Sequence, residues 1–239
     1  MNTIDRWYGG FGNNILQISN ALTSSFFERR KYVSPRHPFI SSFEVEFGSD
    51  FAMPGTYFYL DLLKFGDLSS VLEVREGLVK EFLVPNLLLS KLDLQTEKQI
   101  KNEKNLVIHI RGGDIFQPHH VPVHSDYVQA PLRYYEFVAE QFDSIYIINQ
   151  DNKNPVLTTL LRNSKFEILA KSLQYDASVL MNSVNLGVGG AGTFVLSCLL
   201  CSSSVQKIYL PNFAEDVWKN NFSKAEKITL VNLPNFIRP

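Results

Sequence analysis

The sequence predicts an α/β protein whose C-terminal half is a parallel sheet wrapped by helices. Between residues 105 and 210, short β-branched and apolar runs alternate with helical stretches of about ten residues, the pattern of repeated strand–helix–strand units. Glycines cluster around the expected strand ends, at Gly112-Gly113 and from Gly187 to Gly192. The 239 residues, 45% hydrophobic and 20% charged, suffice for a proper core in one large domain or two small ones.

In chain order, Gly9-Gly10-Phe11-Gly12-Asn13-Asn14 opens a helix whose apolar face is Ile15, Ile18, Leu22 and Phe26. Tyr57 to Leu60 reads as a strand and Leu68 to Phe82 as a helix. The charged, apolar-poor stretch from Asp93 to Lys104 reads as a connector, so a boundary is expected near 100, between a lobe of residues 1–100 and a Rossmann-like lobe of 101–239. Strands are expected at 105–110, 145–148, 166–169, 185–188 and 207–210. Helices are expected at 132–142, 155–162, 175–181 and 194–202.

Bulk properties exclude several functions. A net charge of −1 without a basic block argues against a nucleic-acid or anionic-membrane partner. No run of eighteen apolar residues spans a bilayer, and the polar start Met1 to Arg6 does not read as a signal peptide, so a cytoplasmic protein or a soluble domain of a longer chain is expected. Cys198 and Cys201 form a lone C-x-x-C in an apolar run and read as core thiols.

Several stretches carry candidate chemistry. His109 and Arg111 sit at the end of the 105–110 strand, and in an open α/β sheet ligands bind outside the carboxyl ends of the strands. Arginine's planar fork suits phosphate, and Gly112 and Gly113 allow close backbone approach. The alternative is a turn pinned by an Arg111–Asp114 pair. Gly189, Gly190, Gly192 and Thr193 would present amides and a hydroxyl to an anion at a helix start, or serve helix–strand packing. Gly10 and Asn13 admit the same two readings at the first helix, with Asn13 as cap or ligand contact. Asp151, after the 145–148 strand, could accept from the N1 and N2 donors of guanine or close a plain turn. His119, His120 and His124 match no recognised metal pattern and read as surface or acceptor-contacting histidines.

His109-Ile110-Arg111-Gly112-Gly113-Asp114 resembles the H-x-R-R-x-D motif of the α-1,2-, α-1,6- and protein O-fucosyltransferase superfamily, with Gly112 in place of the second arginine. Gly9 to Asn14 resembles its opening G-G-x-G-N-Q, and Pro131 to Tyr135 the segment after its arginine motif. Leu180 to Ser183 with Gly189 to Phe194 resembles its third motif, with Gly192-Thr193 replacing a serine pair. The resemblance implies a two-lobed GT-B fold and an inverting, metal-independent glycosyltransferase that takes its sugar from GDP-fucose or a related nucleotide sugar and passes it to a glycan acceptor, with no separate cofactor. It places His109 and Arg111 on the diphosphate. Thr193, with the backbone of Gly190, Gly192 and Phe194, would meet the β-phosphate, Asp151 the guanine, and Gly10 and Asn13 the opposite wall. Arg111 is the candidate catalytic residue for the leaving group. Asp114, His119, His120, His124 and Asp126 are all candidates by location for the base, with Asp114 carried as a candidate catalytic residue beside Arg111. The absence of any D-x-D agrees with a reaction that needs no metal. The alternatives are a catalytically silent sugar- or nucleotide-binding relative and a transferase using another donor.

Overall fold

The computed structural model describes residues 3–113, 129–190, 192–215, 218, 221, 223 and 227–232. Its organising element is α1 (Phe11–Phe27), which is buried nearly all round because it lies between a small sheet, the helix that follows at 68–78 and the late helix at 193–201. Ile15, Ile18 and Leu22 are fully buried on it. Its buried hydroxyls are satisfied locally: Thr23 donates to Ser19 O at 2.7 Å and Ser25 to Ala21 O at 2.7 Å. Arg29 (φ 56) stops the helix in the left-handed conformation usual just past a helix end, its N–H donating to Phe26 O.

The small sheet comes next, from β1 (Arg30–Val33), β2 (Glu44–Glu46) and β3 (Asp50–Phe51), in the order β2-β1-β3. The strand expected at Tyr57 to Leu60 does not form. Tyr57 adopts a left-handed φ of 49°, which no strand accommodates, and Asn20 on α1 holds its carbonyl at 3.0 Å. The helix expected at 68–82 begins as α2 (Leu68–Leu78), then runs on as a π turn to Leu83 and a 3₁₀ turn to Asn86.

The expected connector is in fact largely helical. Asp93 caps α3 (Leu94–Lys101) by accepting from Thr96 N at 2.8 Å, and Ile100 is buried, so one apolar residue on a charged helix suffices to dock it. The main sheet then assembles from β4 (Asn105–Ile110), α4 (Leu132–Ala139), β5 (Ser144–Asn149), α5 (Val156–Leu160), β6 (Phe166–Ile168), α6 (Leu173–Asn182), β7 (Asn185–Val188), α7 (Thr193–Cys201), β8 (Lys207–Pro211) and β9 (Ile228–Val231). All six strands are parallel, in the order β6-β5-β4-β7-β8-β9. β9 is an addition to the expected strands, and α5 is shorter than expected.

Strand alternation sorts the core into two layers. Leu106, Ile108 and Ile110 of β4 join Ile145, Ile147, Tyr134, Tyr135 and Val138 on one side. Val107 joins Ile148, Leu186, Val188, α7 and α1 on the other, in one apolar cluster that runs back to Ile4. Among the described residues, no helix is long and apolar enough to cross a membrane.

Candidate functional site

The strand order puts a topological switch point between β4 and β7. The chain leaves β4 for β5 and β6 on one side, then returns to build β7, β8 and β9 on the other. The carboxyl ends of β4 and β7 therefore flank the switch point, the place where open α/β sheets bind their ligands. His109, Arg111, Gly189, Gly190 and the start of α7 all belong to this edge.

The period of two that sends Val107 toward α1 and α7 sends His109 and Arg111 the same way. The His109 ring lies 5.7 Å from the ring of Phe194, and Phe194 lies 6.2 Å from Phe11 of α1. Burial, with the neighbouring Arg111 charge, pushes the His109 pKa down to about 3, so the imidazole is neutral at ordinary pH although it keeps some solvent access. Arg111 reaches the start of α7: its Nη1 lies 3.6 Å from where a Cβ on Gly192 would stand. Its carbonyl accepts from the buried Asn154 side chain at 2.9 Å.

Two helix starts converge here. α7 begins at Gly192 and α1 at Gly10, and neither has a side-chain cap or an acidic residue in its first turn. A Cβ on Gly12 would stand 2.5 Å from Phe194 N and from the Thr193 carbonyl carbon, so only glycine lets α1 come this close to α7. Ser197 on α7 donates to Gly12 O at 2.6 Å and ties the helices together. The first-turn amides of both helices are thus donors with positive dipole ends beside a guanidinium.

Asp151 faces the loop after β4. It accepts from Gly113 N at 3.0 Å and from Lys153 N at 2.9 Å. Desolvation works against its charge, but those two amides and the Lys153 charge outweigh it and lower the pKa. A Cβ on Gly112 would stand 2.3 Å from Asp151 Oδ1, so the space a second arginine would need holds this carboxylate.

Asn13 packs against Gly9, whose φ of +62° favours glycine, and does not cap α1. The holding is done by its neighbours. Asn14 donates to Tyr8 O at 3.0 Å, and Gln17 binds the Arg6 and Thr56 carbonyls. His37 accepts the Phe39 N–H on Nδ1, which leaves Nε2–H to donate to Asn14 Oδ1 at 3.1 Å. Sequence reasoning passes over Gly12, Asn14, Gln17, His37 and Asn154, whose roles depend on which loops meet. The G-x-N-N run is the visible signal for the first two.

Two buried polar atoms near this edge have no hydrogen-bond partner among the described residues, Asn149 Oδ1 at the end of β5 and Tyr135 Oη beneath Gly189. Asp114, His119, His120, His124 and Asp126 lie outside the described residues. Cys198 and Cys201 are free and buried in α7, where burial pushes both thiols up, Cys201 to about 12. Among the described residues, no group of three or more His, Cys, Asp or Glu side chains gathers as a metal would require.

No protein-family model matches the chain, and no curated protein matches it in sequence. Among solved structures it is similar to the crystal structure of POFUT1 in complex with GDP, with a TM-score of 0.42 and 8% identity over 84% of this chain and 95% of that one.

Proposed function

We propose that the switch point binds the diphosphate of a nucleotide sugar, and that the protein is an inverting glycosyltransferase of the fucosyltransferase type, using GDP-fucose without a metal. The carrying observation is the convergence of two glycine-started, uncapped helix N-termini with Arg111 at the carboxyl ends of β4 and β7. Donors fixed in this way suit charge that appears on a leaving β-phosphate as the glycosidic C–O bond breaks. Arg111 would take that charge in bidentate fashion, helped by the Thr193 hydroxyl and the first amides of α7. Neutral His109 would add a hydrogen bond without competing for the charge.

Asp151 uses one lone pair on each oxygen for the Gly113 and Lys153 amides; a second remains on Oδ1, and the second on Oδ2 is shared with Lys153 Nζ at 3.8 Å. Guanine N1 and N2 would occupy those. The proximity of Asp151 to Gly112 also favours a second reading, a silent relative that binds the nucleotide without transfer, because the loop has no room for another arginine.

Thermal unfolding with and without GDP tests the site. GDP at about a hundred times its Kd should stabilise the protein by ~2.7 kcal/mol in the presence of a chelator. No shift, or a shift that needs Mg²⁺ or Mn²⁺, would overturn the reading. Release of fucose or its transfer from GDP-fucose separates the enzyme from the silent relative.

A further inference from the structure

A cavity of about 360 Å³, wide open to solvent, lies at the other end of α1, lined by Ser24, Glu28, Arg30, Tyr57, Tyr59 and Lys64 among others. It is separate from the switch point. Glu28 lies 18 residues along α1 from Gly10, or ~27 Å at ~1.5 Å per residue. The volume falls within the range of small-molecule sites, about 300–1,000 Å³.

Its polar floor is organised around Glu28, which accepts from Ser24 Oγ at 3.0 Å and pairs with Lys64 Nζ at 3.4 Å and Arg30 Nε at 3.4 Å. Among the lining residues one carboxylate stands against two cations, a balance of +1, with Asp5 near enough to act on Tyr57. The walls are apolar and unusually open for such side chains: Tyr59 is 90% exposed and Met53 67%. Tyr57 is the one non-glycine residue described whose left-handed backbone no helix end explains. It is held there by Asn20 at its carbonyl and by its own hydroxyl donating to Met53 O at 2.7 Å. Strain held by surrounding bonds, at a cavity with exposed aromatic rings, marks a binding site more than a packing accident.

We propose that this cavity binds a saccharide unit carrying a carboxylate. The sugar's C–H face would stack on Tyr59, its hydroxyls would meet Ser24 and Glu28, and its carboxylate would pair with Arg30 and Lys64. The choice of a sugar over other ring-bearing anions rests on the transferase reading, whereas the site itself does not. At this distance from the switch point, the unit is a distal part of an extended acceptor or product glycan.

The test is calorimetric titration of the chain with acidic oligosaccharides (hyaluronan hexasaccharide, oligogalacturonate, sialyllactose) and with their neutral counterparts (chitohexaose, lactose), with GDP titrated in parallel. At least one acidic member should bind, and its neutral counterpart should bind at least about tenfold more weakly, as loss of a charge-assisted contact predicts. Lys64→Ala should weaken the acidic ligand by about the same factor, and the exposed Tyr59→Ala by about three- to tenfold, while both leave GDP affinity and Tm as in the wild type. Acidic-sugar binding in a protein that ignores GDP would support this site and sink the transferase reading. Binding of GDP alone, equal binding of acidic and neutral sugars, or indifference to Tyr59→Ala would overturn the proposal.

Discussion

The helices of this protein begin in two ways. α2, α3 and α6 start on Asp67, Asp93 and Ser172, whose side chains accept a first-turn amide at 3.0, 2.8 and 3.3 Å. α1 and α7 start on Gly10 and Gly192 and have no such cap. Pro131 and Pro155 also open α4 and α5 without one, so a missing cap alone marks nothing. What distinguishes α1 and α7 is that their starts meet, at Gly12, beside Arg111 and above a switch point. Capped starts serve the fold; under the proposed function, the paired uncapped starts keep donors for a ligand.

The sharpest way to break the pairing is Gly12→Val. Its side chain would enter the backbone of Thr193 and Phe194, which cannot swing aside as a long side chain can. A loss of ~3 kcal/mol or more in denaturant unfolding is expected. Near-neutral stability would mean that α1 and α7 do not approach so closely.

Arg111→Lys keeps the charge but not the fork. If Arg111 clamps a leaving diphosphate, transfer should fall by ~10²–10³ in kcat/KM, beyond what weaker GDP binding explains, while the protein stays folded. Near wild-type transfer would leave the fold intact and remove the mechanism.

The range of each interaction decides how much of this is legible in the sequence. The strands at 105–110, 145–148, 185–188 and 207–210 are visible because burial on both faces writes itself as a nearly continuous apolar run, as in Leu106 to Ile110 with His109 the one polar member, whereas the edge strand at 166–169, with Glu167 and Ile168 exposed, shows only as a short run between turns. The glycine stretches are visible as strand-to-helix punctuation. Strand order is not visible, since nothing local to β4 says that β7 and not β6 lies beside it. The small sheet β1–β3, of two to four residues per strand, is too short to show a period. Tyr57 to Leu60 misleads because its aromatic run serves Phe58–Tyr59 ring contacts and the open cavity instead of a ladder. The Asp93 to Lys104 stretch misleads because its helix buries only Thr96 and Ile100, and one apolar residue is too little pattern to read.

His109 sharpens the comparison through pH. Its pKa is about 3 in the folded protein against an ordinary 6.5, so between those values the unfolded chain holds a proton that the folded one lacks. Stability tied to this residue is fully present above about 6.5 and is lost as pH falls toward 3, by up to ~1.4 kcal/mol per pH unit. His37, also lowered by burial, adds a slope of the same sign. Urea unfolding across this range should be flatter for His109→Gln than for the wild type, and identical slopes would mean that the imidazole is not enclosed.

The smallest effect tests the comparison most directly. Gly10 sits in extended backbone at φ −88°, and a Cβ there would meet nothing within 4 Å, so Gly10→Asp can supply α1 with the kind of cap that α3 already has. The aspartate would accept a first-turn amide and favour the dipole, a gain of ~0.3–1 kcal/mol in the ligand-free protein. If the proposed function holds, it would also occupy an amide that faces the anion and set a like charge beside the diphosphate, so GDP affinity should drop as stability rises. Asp93→Ala is the control: removing that cap should cost ~1 kcal/mol and leave GDP binding as it was. Opposite movement of stability and affinity is not expected from a change that acts only on the fold. If Gly10→Asp stabilises the chain and binds GDP as the wild type does, the start of α1 is a scaffold, and the ligand-facing donors belong to α7 and Arg111 alone.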